Sequence, residues 1–98
     1  MCMLDRIHAK RDEIHAIARK HKVEKLWVFG SVARKEETPD SDVDFLVKFA
    51  APIGLFEYSD FQDELSATLG RKVDVIKNTV LFKEPRFAAR VCPEAIRI

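Results

Sequence analysis

Ninety-eight residues with a formal net charge of +1 and 47% hydrophobic content are enough for one domain, residues 1–98, folded around a single core. So balanced a charge gives no global pull toward nucleic acid, and no apolar run approaches a membrane span, which excludes a dedicated nucleic-acid binder and a membrane protein. Asp5 and Arg6 follow Leu4 directly, leaving no apolar stretch for a signal peptide; the reading is cytoplasmic, with Cys2 and Cys92 as free thiols of no assigned role.

In chain order, Leu4, Ile7, Ile14, Ile17 and Ala18 recur at helical spacing and predict a first helix with one buried face. His8, His15 and His21 lie on it at intervals that suit no metal, and are assigned to solvent. Val23 to Phe29 reads as a strand whose last four residues, Leu26, Trp27, Val28 and Phe29, are apolar, with Trp27 placed in the core. Gly30 then lets the backbone turn closely around a ligand, and Ser31 is read as the cap of a short helix starting at Val32. The amides at such a helix start attract phosphate. Taken alone, a Gly-Ser after a strand is most often just a turn.

A polar loop from Lys35 to Ser41 leads into a second strand, Val43 to Phe49. Asp42 and Asp44 sit two apart, so the period of a strand puts both carboxylates on one face. Such a pair is commonly a solvated edge, but the neighbours Val43, Phe45, Leu46 and Val47 predict a central strand. Tyr58, Phe61, Leu65 and Leu69 mark a further helix closed by Gly70 as C-cap. Lys72 to Ile76 is a third strand with Asp74 in its middle, and a last helix is expected near the C-terminus. The predicted architecture is α+β: a small mixed sheet, helices on one face, and an open carboxylate-bearing cleft on the other.

Two carboxylates held together repel unless a cation lies between them or one takes a proton. Mg²⁺ answers that need, because it favours carboxylate oxygens and retains substrate phosphates as further ligands. If the third strand pairs beside the second, Asp74 joins the same face, where it can hold a metal and help deprotonate an acceptor hydroxyl. Its competing reading is a structural salt bridge with Lys72 or Arg71. Arg34 either steadies a triphosphate or pairs with Asp40 or Glu36 in the loop. Ser41 is read as ordering the loop before Asp42 through a local hydrogen bond.

Gly30-Ser31, ten residues, Asp42-x-Asp44, then Asp74 on a later strand resembles the minimal nucleotidyltransferases of the DNA polymerase β superfamily. The likeness extends through Ala33 and Arg34, Ser41, Gly54-Leu55-Phe56 and Leu69 to Asp74, and so covers nearly the whole chain. The chain departs from that pattern at Lys35, where the family often has glycine, and at Pro85 and Pro93, which interrupt the C-terminal stretch. The resemblance implies a transferase using ATP and two Mg²⁺ ions, with Gly30 and Ser31 on the β and γ phosphates, Asp42 and Asp44 on the metals, and Asp74 near the acceptor. Members of this size resemble antitoxins of toxin-antitoxin pairs whose toxin is a HEPN-type ribonuclease, which implies adenylylation of that partner on a tyrosine. Two other classes stay open: an antitoxin that acts by occlusion, and a small-molecule nucleotidyltransferase. The second lacks here the extra helical domain that would hold its acceptor.

Overall fold

A computed structural model describes residues 3–36, 38, 41–79, 83, 85, 86, 89 and 95–98. The elements in order are α1 (Met3–Ala9), α2 (Arg11–Lys20), β1 (Val23–Phe29), β2 (Val43–Phe49), α3 (Leu55–Leu69), β3 (Val73–Lys77) and β4 (Ile96–Arg97). The strands form one mixed sheet in the order β3-β2-β1-β4. β1 runs antiparallel to β2 and β4, whereas β2 and β3, joined through α3, are parallel.

The first helix is broken into two where one was predicted. Helical hydrogen bonds still flank the break, from the Lys10 N–H to Arg6 O and from the Ile14 N–H to Lys10 O, each 3.0 Å. Lys10 itself departs from helical geometry at φ −103°, ψ 16°, and its ammonium donates to Thr68 O at 2.9 Å, at the end of α3. The change of direction brings Met3, Leu4 and Ile7 of α1 and Ile14 and Ala18 of α2 into the same core.

That core is built from one face of the sheet. Val43, Phe45 and Val47 alternate along β2 and are fully buried against Phe61, Leu65 and Leu69 of α3, the period-2 and period-3.6 patterns meeting face to face. Each such side chain contributes about 1.5–3 kcal/mol on burial. The other face carries a smaller cluster, Phe29 and Leu46 with Trp27 and Ile76 beside them. Trp27 is half-buried there under the Arg97 guanidinium, 5.4 Å from the ring centre.

β3 is an outer strand, and α3 closes its free edge. Tyr58, Gln62 and Ser66, one helical turn apart, meet the outward backbone groups: the Tyr58 hydroxyl donates to Val75 O, the Val75 N–H to Gln62 Oε1 at 3.1 Å, and the Val73 N–H to Ser66 Oγ at 3.1 Å. At the opposite margin, β4 is a strand the sequence reading did not contain. Two residues are too few to show a period, and they are fixed by pairing with Trp27 and Val28 and by the Ile98 N–H to Leu26 O bond of 3.1 Å. The expected C-terminal helix, with Pro93 and Arg90, lies largely outside the described residues.

Two of the three histidines are not solvated as expected. His21 is buried beyond the end of α2, its ring 5.6 Å from that of Phe61 and its Nε2 3.1 Å from Glu64 Oε2. His15 Nε2 lies 2.8 Å from Ile98 O. Both point inward from α2, because its buried stripe is flanked by the C-terminal strand on one side and α3 on the other.

Candidate active site

β1 delivers the first component. It ends at Phe29, which pairs across the sheet with Asp44, and Gly30 follows in the left-handed region at φ +75°. A Cβ at this position would sit 2.6 Å from Asp44 Oδ2. The turn therefore favours glycine, and a side chain here would also displace the Asp44 carboxylate that leans against it.

The short helix expected at Val32 is instead a single closed turn. The Arg34 N–H bonds Gly30 O at 3.1 Å, the Lys35 N–H bonds Val32 O at 3.1 Å, and the Glu36 N–H returns to Ser31 O at 2.8 Å. The last two bonds form a Schellman closure, with Lys35 in the left-handed position at φ +59°. The turn stops before a helix can propagate, and Ser31 contributes its carbonyl to the closure. Lys35, where the resembled pattern often has glycine, occupies a second left-handed position of the turn, after Gly30.

β2 and β3 supply the carboxylates. Their parallel register pairs Val43 with Val73 and Asp44 with Asp74, so Phe29, Asp44 and Asp74 form one row across three strands. Asp42 precedes β2 by one residue. The three acids act on one another electrostatically: the Asp44 carboxyl is pushed above its usual range by burial first, then by Asp74 and Asp42, against an opposing pull from Arg34. The Tyr58 hydroxyl is likewise raised, by burial and then by Asp74. Of the two readings of Arg34, the loop pairing is present, its Nε donating to Glu36 Oε2 at 3.0 Å, and its charge also opposes the upward shift of Asp44.

The salt-bridge alternative for Asp74 resolves differently. Lys72 Nζ lies 3.8 Å from Asp42 Oδ2, and the Arg71 guanidinium donates to Thr38 O and Ser41 O, both at 3.1 Å. Ser41 orders its loop as expected, its Oγ accepting the Thr38 N–H at 2.9 Å. The sequence reading assigned Arg71 no site role; its one signal was its place between the helix-ending Gly70 and the third aspartate's strand. Lys77 and Asn78 fall at the far end of the sheet, where Lys77 Nζ lies over the Phe49 and Tyr58 rings.

Among the described residues, no three His, Cys, Asp or Glu side chains close into a ready chelate. The arrangement is one of half-buried acids that repel one another. Its all-oxygen donor set, with a negative charge that Lys72 and Arg34 offset only in part, suits a hard divalent cation that takes its remaining ligands from phosphate and water.

A glycine turn against a row of aspartates on a mixed sheet with α3 behind it is the arrangement that the sequence resemblance to nucleotidyltransferases implies. The chain belongs to the family described as nucleotidyltransferase domain, whose family model matches residues 12–97. A Methanocaldococcus jannaschii protein provisionally named a protein adenylyltransferase is 40% identical over 77 residues, 69% of this chain and 79% of the relative. Protein adenylyltransferase MntA of Thermococcus cleftensis is 36% identical over 78 residues, 71% of this chain and 79% of the relative. A solved structure provisionally described as a minimal nucleotidyltransferase superposes with a TM-score of 0.82 at 33% identity, covering 100% of this chain and 97% of that one. The fold is also shared, at a TM-score of 0.67 and 16% identity over 92% of this chain and 69% of the other, with a structure described as tri-AMPylated Shewanella oneidensis HEPN toxin in complex with MNT antitoxin.

Proposed function

We propose that this nucleotidyltransferase moves AMP from ATP onto a hydroxyl, a tyrosine of a HEPN-type ribonuclease partner, and thereby acts as that toxin's antitoxin in the cytoplasm. The Gly30 turn set against the paired Asp44 and Asp74 carries the reading, and the names of its relatives and fold neighbours support the protein acceptor.

Asp42, Asp44 and Asp74 are the residues that would hold two Mg²⁺ ions, which when bound neutralise charge on the triphosphate and the leaving pyrophosphate. Gly30 and Ser31 face the β and γ phosphates, and the Arg34 charge adds attraction for them. Asp74 takes the proton of the acceptor hydroxyl; the acceptor oxygen then bonds the α-phosphorus as the bond to the bridging oxygen breaks and pyrophosphate departs. The cleft is the sheet face bearing the aspartates, and residues 1–98 form one domain.

Intact mass of the partner after incubation with ATP and Mg²⁺ tests this. A gain of one or more AMP units is expected, and it is expected to vanish with the Asp42→Asn, Asp44→Asn double variant while the fold persists. A tight complex without mass change would turn the reading to an occluding antitoxin.

A further inference from the structure

Asp42 lies outside the sheet ladder: β2 starts at Val43, and pairing with β1 reaches only Asp44. Consecutive residues of the α3–β3 connection bracket it instead. On one side, the Arg71 guanidinium donates to Thr38 O and Ser41 O at 3.1 Å each, and Ser41 O belongs to the peptide joining Ser41 to Asp42. On the other side, the Val43 N–H donates to Lys72 O at 2.9 Å. Thr38 and Ser41 also close on each other, through the Ser41 N–H to Thr38 O bond of 3.0 Å and the Thr38 N–H to Ser41 Oγ bond of 2.9 Å. Arg71 therefore grips the bonded pair Thr38 and Ser41 by both their carbonyls. Gly70, left-handed at φ +64°, ends α3 and directs Arg71 toward those carbonyls.

We propose that Arg71 is a positioning residue for the cation-binding acids: it holds the Thr38 and Ser41 carbonyls so that Asp42 stays beside Asp44, and it ties the first aspartate to the strand that carries the third. The proposal rests on the transferase reading. It runs against simple electrostatics, since a positive charge beside a cation site should weaken cation binding, and its removal should strengthen it. Lys72, whose ammonium faces Asp42 at 3.8 Å, is the control for that charge effect.

The test is Mn²⁺ binding to the free chain, followed by electron paramagnetic resonance without nucleotide or partner. Arg71→Ala is expected to weaken Mn²⁺ about tenfold or more, the range found when groups supporting metal ligands are removed. Arg71→Lys should weaken it less, because one ammonium can still reach a carbonyl, and Lys72→Ala should tighten it. With nucleotide and partner, kcat should fall in Arg71→Ala while KM for ATP stays near the original value. Unchanged or tighter Mn²⁺ binding in Arg71→Ala would overturn the proposal; should that variant not fold by circular dichroism, binding to Arg71→Lys at the original strength would do the same. Absence of Mn²⁺ binding in the original chain without nucleotide would overturn the proposal, while the transferase reading is judged separately by AMP transfer to the partner.

Discussion

Asp44 is where the fold and the chemistry pull in opposite directions. Its carboxyl is raised by burial and by two acid neighbours, so in the absence of cation the folded chain holds this proton more tightly than the unfolded chain. Between the ordinary carboxylate value and the raised one, the folded state binds more protons, and stability falls as pH rises. Asp44 thus favours folding below the ordinary value and opposes it once pH has passed the raised one. Asp44→Asn is expected to raise the melting temperature of the cation-free chain at neutral pH by a few degrees and to flatten its decline across the acid range. Thermal scans at stepped pH, with and without Mn²⁺, check this; added Mn²⁺ should stabilise the original chain and leave Asp44→Asn largely unmoved.

At the level of elements, sequence patterns succeeded where they were long. β2 shows at the bounds read from the sequence because alternation and the two aspartates reinforce each other, and α3 is closed at Gly70 as its glycine indicated. What escaped depends on contacts made across the chain. The kink at Lys10 depends on a carbonyl at Thr68, the burial of His21 on Phe61 and Glu64, and β4 on a partner strand nearly 70 residues earlier. The turn after Gly30 was misread as a helix because a cap and an apolar residue look alike in both, whereas Lys35 at φ +59° stops the chain after one turn. Non-glycine residues incur about 1–2 kcal/mol in that conformation. Allowing for the greater freedom glycine gives the unfolded chain, Lys35→Gly is expected to stabilise the protein by about 0.5–1 kcal/mol, measurable as a higher urea midpoint at unchanged slope. Of the site, the aspartate row was legible and the Arg71 bracket was not, since an arginine's acceptors are two backbone carbonyls that no side-chain pattern announces.

Across the whole molecule, one apolar cluster draws on α1, α2, α3 and the three longer strands, while Trp27, the single tryptophan, reports from the opposite sheet face. If residues 1–98 form one cooperative domain, tryptophan fluorescence and far-ultraviolet circular dichroism are expected to follow the same urea transition. Phe61→Ala, at the fully buried contact between α3 and β2, should shift both midpoints together by about 3–5 kcal/mol of stability. Separate transitions for the two probes would show that the aspartate-bearing face melts independently of the helical one.

The ladder that α3 lays along β3 bears on assembly. A bare outer strand is a template on which another chain can polymerise, yet here Tyr58, Gln62 and Ser66 already occupy the outward backbone groups of Val73 and Val75. At this margin the sheet behaves as a capped polymer end. Copies concentrated in the cell gain nothing by stacking edge to edge there, and a partner approaching Asp74 from that side meets the flank of a helix.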